Sequence, residues 1–111
     1  MTIYFASDHA GISLRQTLLS YVQAAGHDVV DLGPEEEGSV DYPDFGVKLA
    51  MALKQDHVGR GIAICGSGIG ISIALNRFLW VRAALVSQPE AAELARQHND
   101  ANVLALGERL I

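Results

Sequence analysis

The sequence predicts an α/β fold with a parallel, doubly wound sheet, and three observations support this prediction. The chain has 111 residues, of which 50% are apolar and 19% charged, as is usual for a single globular domain. Five short apolar runs alternate with longer segments whose apolar residues recur every three or four positions. One of these runs, Arg60–Cys65, is almost wholly apolar, as expected of a strand that is covered on both faces.

The chain begins with a predicted strand, a helix and a second strand. Thr2–Ser7 is a short apolar run typical of a strand. Gly11–Ala25 has the apolar spacing of a helix, and Gly26 ends that helix as a glycine often does just past the last turn. His27–Leu32 carries two consecutive valines and predicts the second strand.

A turn-rich, acidic loop over Gly33–Val40 precedes the second helix. Asp41 can cap this helix and Pro43 fits near its first position, so the helix should extend to about Gln55. Arg60–Cys65 then forms the third strand.

The second half of the chain repeats the alternation. Ile69–Phe78 predicts the third helix and Val81–Ser87 the fourth strand. Pro89–His98 predicts the last helix, because proline favours a first turn, and Asn102–Leu106 predicts the fifth strand. In a doubly wound sheet, ligands bind beyond the carboxyl ends of the strands. The loops after the first four strands should therefore carry the site, whereas the turn after the last helix would lie at the other edge unless another chain brings it in.

Composition and charge exclude several classes of partner and site. Thirteen acidic residues against eight basic ones give a net charge of -5, which argues against nucleic acid or an anionic membrane as the main partner. The one cysteine, Cys65, excludes an intrachain disulfide and a Cys-rich zinc site. The N-terminus lacks the features of a signal peptide, and the longest uncharged stretch, Gly61–Asn76, is too short to span a bilayer. We therefore expect a cytoplasmic protein.

The segment from Cys65 to Gly70 is the strongest functional pattern in the sequence. It joins a buried strand to a helix, and its three glycines allow backbone amides to face an anionic ligand at the helix N-terminus. It matches neither a Walker loop nor a Gly-x-Gly-x-x-Gly fingerprint. Cys65 itself fits two interpretations, namely a small buried apolar residue or a thiolate that acts as a base or nucleophile.

Residues outside this loop also leave two interpretations open. Asp8 could cap the first helix, or it could join His9 in binding hydroxyls or transferring protons at the same edge as Cys65. His98 ends a helix, where a histidine also interacts favourably with the helix dipole. Since the four histidines show no HxH or HExxH spacing, no metal site is predicted.

Five further segments are informative when they are taken together, namely Ser7–Gly11, Asp41–Asp44, Ile64–Ala74, Arg82–Ala84 and Arg96–Leu104. Together they resemble the ribose/galactose isomerase family, in particular its members of the ribose-5-phosphate isomerase B type. The segments follow the family's order and spacing across the whole chain, and five in register are specific where one alone would be weak.

The resemblance implies a Rossmann-like, three-layer α/β/α sandwich with a five-stranded parallel sheet. It also implies a homodimer or tetramer with active sites shared between subunits, and aldose–ketose isomerisation of a phosphorylated sugar without a metal or other cofactor. Cys65 matches the family's base, which would move a proton between C2 and C1 through a cis-enediol. Some members instead use a glutamate at the position that Ile71 occupies here.

The resemblance also implies roles for residues around the base. Ser67, with the amides of the glycine loop, would hold the enediolate oxygen, and His98 would open the sugar ring from across the subunit interface. Arg109 matches a basic residue near the phosphate. The implied substrate-binding positions are Asp8, His9, Tyr42, Gly66, Gly68, Gly70, Asn99 and Arg109.

The chain departs from the family pattern in two places. Family members usually continue beyond the position of Ile111 with a long helix and further arginines for the phosphate, so residues 1–111 should form a single isomerase domain without that helix. Without that helix one face beyond the fifth strand would lose its cover. The chain would then be a fragment, or a partner would cover that face, or the phosphate would be held weakly through Arg109 and its neighbours. At Leu79-Trp80 the family tends to have a small residue, and there we expect only local repacking.

Four functions remain in order of preference. The first is interconversion of ribose 5-phosphate and ribulose 5-phosphate, and the second is the same chemistry on allose or galactose 6-phosphate. The third is a non-catalytic sugar-phosphate-binding subunit, against which the presence of Cys65, Ser67 and His98 argues. The fourth, a thiol redox sensor, is disfavoured because the chain has no second cysteine to resolve an oxidised Cys65.

Overall fold

The computed structural model describes residues 1–35 and 41–111, and it confirms the predicted α/β fold. The described residues form five parallel strands and four helices, with a short 3-10 turn at His9–Gly11 after the first strand. The strands are β1 (Thr2–Ser7), β2 (Asp28–Asp31), β3 (Arg60–Cys65), β4 (Ala83–Leu85) and β5 (Val103–Gly107), and the helices are α1 (Ile12–Ala24), α2 (Tyr42–Gln55), α3 (Ile69–Leu75) and α4 (Pro89–Asn99).

The strand order places a crevice between the carboxyl ends of β1 and β3. The order across the sheet is β2-β1-β3-β5-β4, so the chain leaves β1 toward one side of the sheet and leaves β3 toward the other. This reversal is the place where doubly wound sheets bind ligands. Ser7 pairs with Ile64, and Cys65 pairs with Gly107, so the ends of β1, β3 and β5 meet at this crevice.

The two faces of the sheet are covered unequally. On one face α2 and α3 pack closely, because Gly46 has no side chain and a Cβ there would lie 3.4 Å from that of Ala74. Trp80 closes this side, donating from Nε1 to the Ala50 carbonyl at 2.7 Å. On the other face α4 has no buried residue, and an apolar cavity of about 320 Å³ lies between it and Ile62 and Leu104 of the sheet.

Several boundaries differ from the sequence-based expectations. Helix α3 ends at Leu75 rather than Phe78, because the Asn76 side chain both donates to and accepts from the backbone of Ala83, at 2.9 and 2.7 Å. Strand β4 is shorter than the predicted Val81–Ser87. Asp41 occupies the cap position of α2, but its side chain makes no capping hydrogen bond.

Other local predictions are confirmed or lie outside the described residues. Gly26 ends α1 with a φ of 100°, a left-handed conformation that favours glycine. Most of the acidic loop that the sequence predicts over Gly33–Val40 falls at residues 36–40, which are not described. None of the described helices is long and apolar enough to cross a membrane.

Candidate active site

A cavity of about 300 Å³ opens at the carboxyl edge of the sheet, beside the crevice between β1 and β3. This volume lies at the small end of the range for small-molecule sites. Seven of the eight described residues that line it are site residues named from the sequence, and Leu110 is the addition. The lining consists of Asp8, Tyr42, Cys65, Gly66, Ser67, Gly70, Arg109 and Leu110.

Cys65 ends β3 and lies at the floor of this cavity, where it is 4% exposed. Its Sγ accepts a hydrogen bond from the Gly68 amide at 3.1 Å. This contact requires the left-handed φ of 78° at Gly68, where a Cβ would also lie 2.5 Å from a methyl group of Leu85. The thiol is thereby held at the start of the glycine loop, facing the cavity.

Ser67 lies beside the thiol, in the turn between β3 and α3. Its Oγ accepts a hydrogen bond from the Ile69 amide at 3.2 Å, which leaves the hydroxyl proton able to donate toward the cavity. A Cβ on Gly107 would lie 2.5 Å from the backbone of Ser67, so the end of β5 supports this turn from behind. Only glycine fits at that crossing, and the sequence analysis did not single out Gly107.

Tyr42, the first residue of α2, contacts the glycine loop from the opposite side. A Cβ on Gly70 would lie 2.8 Å from the Tyr42 ring, so the ring packs directly on the backbone of the first turn of α3. The ring remains 40% exposed, and it forms one wall of the cavity. Gly70 is therefore needed for the close approach of Tyr42.

Asp8 confirms the capping interpretation of its sequence position, and a role in binding hydroxyls or transferring protons stays a prediction. Its carboxylate Oδ1 accepts a hydrogen bond from the Ala10 amide at 2.9 Å, which caps the 3-10 turn before α1. Its own amide donates to the Ile64 carbonyl at 3.1 Å, which holds the residue against the end of β3. Asp8 also lines the cavity, whereas the neighbouring His9 is exposed and lies outside the lining.

A buried arginine that the sequence analysis missed, Arg15, supports the end of β1. Arg15 is 1% exposed and donates to Ser7 Oγ at 2.7 Å and to the Pro34 carbonyl. Its Nε lies 3.1 Å from a carboxylate oxygen of Asp31, poorly aligned for a hydrogen bond, so this contact is an ion pair. Burial lowers the pKa of the Arg15 guanidinium, and the charge of Asp31 partly offsets this shift.

Arg109 supplies the positive charge of the cavity. Its amide donates to the Gly66 carbonyl at 3.0 Å, and its guanidinium lies over Gly66, where a Cβ would be 3.2 Å from Nη1. Among the residues that the structure describes, no carboxylate lies within salt-bridge distance of this guanidinium. An exposed guanidinium at the cavity rim that has no carboxylate partner among the described residues can bind an anionic group such as a phosphate.

His98 and Asn99 lie outside this cavity. They end α4, which leads into β5, so they are at the amino edge of the sheet while Cys65 is at the carboxyl edge. The length of β5 separates the two edges by roughly 13 Å at the usual rise per residue. Within one chain, His98 therefore does not reach Cys65. In the described part of the chain, no three His, Cys, Asp or Glu side chains are grouped as metal ligands.

Comparisons with known proteins identify the family of this chain and agree with its fold. A family model described as Ribose/Galactose Isomerase matches residues 3–111. Ribose-5-phosphate isomerase B of Escherichia coli (strain K12) is 42% identical over 109 residues, which cover 98% of this chain and 73% of that protein.

Solved structures give the same result. The ribose-5-phosphate isomerase B of Clostridium thermocellum matches with a TM-score of 0.97 and 47% identity, covering 100% of this chain and 75% of that one. The ribose-5-phosphate isomerase B of Mycoplasma genitalium, solved with bound ribulose-5-phosphate, matches with a TM-score of 0.95 and 41% identity. The match covers 99% of this chain and 74% of that one. The chain therefore belongs to the ribose/galactose isomerase family, a family of sugar-phosphate isomerases.

Proposed function

We propose that this protein interconverts ribose 5-phosphate and ribulose 5-phosphate through a cis-enediol, with Cys65 as the base. The observation that carries the proposal is the position of the Cys65 thiol in a small cavity that also contains backbone amides and the Arg109 guanidinium. An aldose–ketose isomerisation needs a base, a group that stabilises an oxyanion and an anchor for the phosphate. The Mycoplasma genitalium relative binds ribulose-5-phosphate, which supports the pentose phosphate as substrate.

Cys65 would transfer the proton. As a thiolate it removes the proton from C2 of the open-chain aldose, the electron pair moves into the C1–C2 bond, and the carbonyl oxygen at C1 becomes the enediolate oxygen. A proton then passes from the C2 hydroxyl to the C1 oxygen, the thiol returns its own proton to C1, and the oxygen at C2 becomes the carbonyl of the ketose. Ile71, where some family members have a glutamate base, is fully buried in the core, which leaves Cys65 as the base at this loop.

The glycine loop would stabilise the negative charge that develops on the substrate oxygen. The Ser67 hydroxyl can donate toward the cavity, which Gly66 and Gly70 also line, while the Gly68 amide already donates to Cys65 Sγ. Donors fixed in place before the reaction cost no reorganisation when the charge forms, so they supply much of the rate in reactions of this type. Arg109 would bind the phosphate, and Asp8, His9 and Tyr42 would bind sugar hydroxyls.

We also propose that the active form is a homodimer in which the partner's His98 reaches the Cys65 cavity. In this arrangement the partner's His98 would open the furanose ring, and the partner's Asn99 would bind a sugar hydroxyl. Ile69 and Ile73 lie on α3, the helix that follows the glycine loop, and they are 49% and 58% exposed. Exposed apolar residues of this kind favour burial against a second copy. The proposal takes residues 1–111 as a single isomerase domain that acts in the cytoplasm.

The proposed function is tested with ribose 5-phosphate that carries deuterium at C2. We expect ribulose 5-phosphate to form, with deuterium partly lost to solvent, in the presence of EDTA. Allose 6-phosphate and galactose 6-phosphate, assayed in parallel, should react more slowly. Complete retention of deuterium would contradict a base that exchanges its proton with solvent. Loss of turnover with EDTA would contradict the metal-independent route. Faster turnover of a hexose phosphate than of ribose 5-phosphate would reassign the substrate.

A further inference from the structure

The turn at residues 107–110 carries Arg109 and is joined to the Cys65 loop by its backbone. The Glu108 amide donates to the Cys65 carbonyl and the Arg109 amide donates to the Gly66 carbonyl, each at 3.0 Å. The Leu110 amide closes the turn on the Gly107 carbonyl at 3.0 Å. These bonds join one side of the turn to the loop that carries the proposed base.

The same turn is attached to α1 by a side chain. Oε1 of Glu108 accepts a hydrogen bond from the Leu14 amide at 2.7 Å. Leu14 is the third residue of α1, and Gly11 at the cap position of this helix has no side chain with which to cap it. Glu108 therefore provides the cap that the local sequence lacks, and within the described residues this is the one side-chain hydrogen bond that holds the turn.

The two neighbouring side chains extend in different directions. Glu108 reaches α1, whereas Arg109 lies over Gly66 at the cavity. The Arg109 side chain is exposed and has no carboxylate partner in the described part of the chain, so the position of its guanidinium depends on where the turn places its backbone. The bond from the Leu14 amide to the Glu108 carboxylate is short and has a charged acceptor, which makes it one of the stronger kinds of hydrogen bond in proteins.

We propose that Glu108 is a positioning residue for Arg109, which holds the 107–110 turn on α1 so that the guanidinium stays over Gly66 and binds the substrate phosphate. This inference rests on the proposed function for the identity of the ligand. It assigns Glu108 no contact with the substrate and no part in the proton transfer.

Charge and position make opposite predictions for this residue. Glu108 carries a negative charge next to the arginine that would bind a phosphate dianion. If only its charge mattered, removing that charge would tighten the binding of the phosphate. If Glu108 positions Arg109, removing the side chain weakens binding, while glutamine, which can still accept from the Leu14 amide, preserves it.

The test compares Glu108→Ala with Glu108→Gln in the full 111-residue chain, with Glu93→Ala on the exposed surface of α4 as a control for loss of one charge. For Glu108→Ala we expect the KM for ribose 5-phosphate, and the Kd for inorganic phosphate measured by titration calorimetry, to rise about tenfold. The kcat should change less than about twofold, because Cys65 and its loop are unaltered. Glu108→Gln and Glu93→Ala should match the parent protein.

A double-mutant cycle with Arg109→Ala then shows whether Glu108 acts through Arg109. In the Arg109→Ala background, Glu108→Ala should raise the phosphate Kd no further. Three results would each overturn the proposal. The first is an equal loss of phosphate affinity in both backgrounds, and the second is an unchanged or lower KM for Glu108→Ala alone. The third is a Glu108→Gln variant that binds phosphate as weakly as Glu108→Ala.

The phosphate measurement separates this inference from the proposed function. A parent protein that binds phosphate and fails to isomerise ribose 5-phosphate would contradict the proposed function, and the cycle on phosphate Kd would still decide the role of Glu108. A parent protein that binds no phosphate would overturn the inference itself.

Discussion

The two edges of the sheet carry the two halves of the proposed active site in very different settings. At the carboxyl edge Cys65 is buried, and three turns are joined around it by backbone hydrogen bonds and by close contacts at glycines. At the amino edge His98 and Asn99 are exposed at the end of α4, a helix with no buried residue. One half is therefore completed within the chain, and the other half faces outward.

The exposed half is nevertheless held in a defined geometry. Asp100 follows the helix with a φ of 48°, and its carboxylate pairs with Arg82 at 3.4 Å and with Arg96 at 3.2 Å. Exposed ion pairs of this kind contribute little to stability. They can still fix the direction in which the His98 turn projects, which is what a residue that serves a partner's site requires. If the proposed homodimer forms, the carboxyl edge of one chain would be completed by the amino edge of a second copy.

The largest effect should come from Cys65→Ala at the carboxyl edge. Because the variant loses the proposed base, kcat should fall about 10³-fold or more, while the Kd for ribose 5-phosphate stays within about threefold. Stopped assays for turnover and calorimetry for binding would measure the two quantities. A variant with near-normal turnover would remove Cys65 as the base.

His98→Asn at the amino edge should have a smaller and more selective effect. Ribose 5-phosphate is mainly cyclic, whereas erythrose 4-phosphate stays open-chain because its phosphate blocks the oxygen that would close the ring. We expect kcat/KM for isomerisation to fall about tenfold or more for ribose 5-phosphate and to change little for erythrose 4-phosphate in initial-rate assays. Equal losses on the two aldoses would contradict a role in ring opening.

Arg15→Met tests whether the carboxyl edge depends on its buried support. The variant leaves Ser7 Oγ and the Pro34 carbonyl without their buried donor, and Asp31, which is 39% exposed, can be rehydrated only in part. We expect the free energy of unfolding to fall by about 2–3 kcal/mol in urea denaturation, and the KM to rise because the loop that carries Asp8 loosens. Arg77→Met, at an exposed position, should change stability by less than about 0.5 kcal/mol. Equal free energies of unfolding for the two variants would show that the contacts of Arg15 with Ser7, Asp31 and Pro34 contribute nothing to stability.

Tyr4→Phe should have the smallest effect, since it alters a contact near the amino edge that has no role in the site. The Tyr4 hydroxyl donates to Asp56 at 2.9 Å, and this hydrogen bond raises the pKa of the tyrosine above its usual value of 10.0. The contribution to stability, about 1 kcal/mol, should thus be constant below pH 10 and should fall as the pH rises through the higher pKa of the folded state. Turnover should not change.

Chemical denaturation of the parent, Tyr4→Phe and the exposed control Tyr21→Phe between pH 7 and 11 would measure this dependence. A difference between parent and Tyr4→Phe that grew with pH would have the wrong sign for a raised pKa.

Much of this arrangement follows from local sequence signals. The alternation of apolar runs predicts the parallel sheet, and the glycine loop after β3 predicts the edge at which the cavity lies. The position of His98 at the other edge also follows, because a helix that leads into a parallel strand must end where that strand begins. Gly26 predicts the end of α1 from its conformational freedom alone.

The remaining features depend on contacts between residues that are far apart in sequence. Glu108 caps a helix 94 positions away, and Asn76 ends α3 early because it bonds to Ala83 in β4. Nothing in the local sequence distinguishes Arg15 as a buried arginine, since its partners come from the ends of β1 and β2. Such pairings are set by the tertiary fold, so a propensity or a spacing rule does not reveal them.

The central claim is that the two halves of the site come together between two chains, and a mixed dimer tests it most directly. Co-expression of Cys65→Ala and His98→Asn chains with different affinity tags allows isolation of the dimer that contains one of each. This dimer holds one site with Cys65 from one chain and His98 from the other, both intact, and one site that lacks both. We predict about half the parent activity per dimer on ribose 5-phosphate, well above either variant alone. A mixed dimer no more active than the average of the two variants would contradict the shared site.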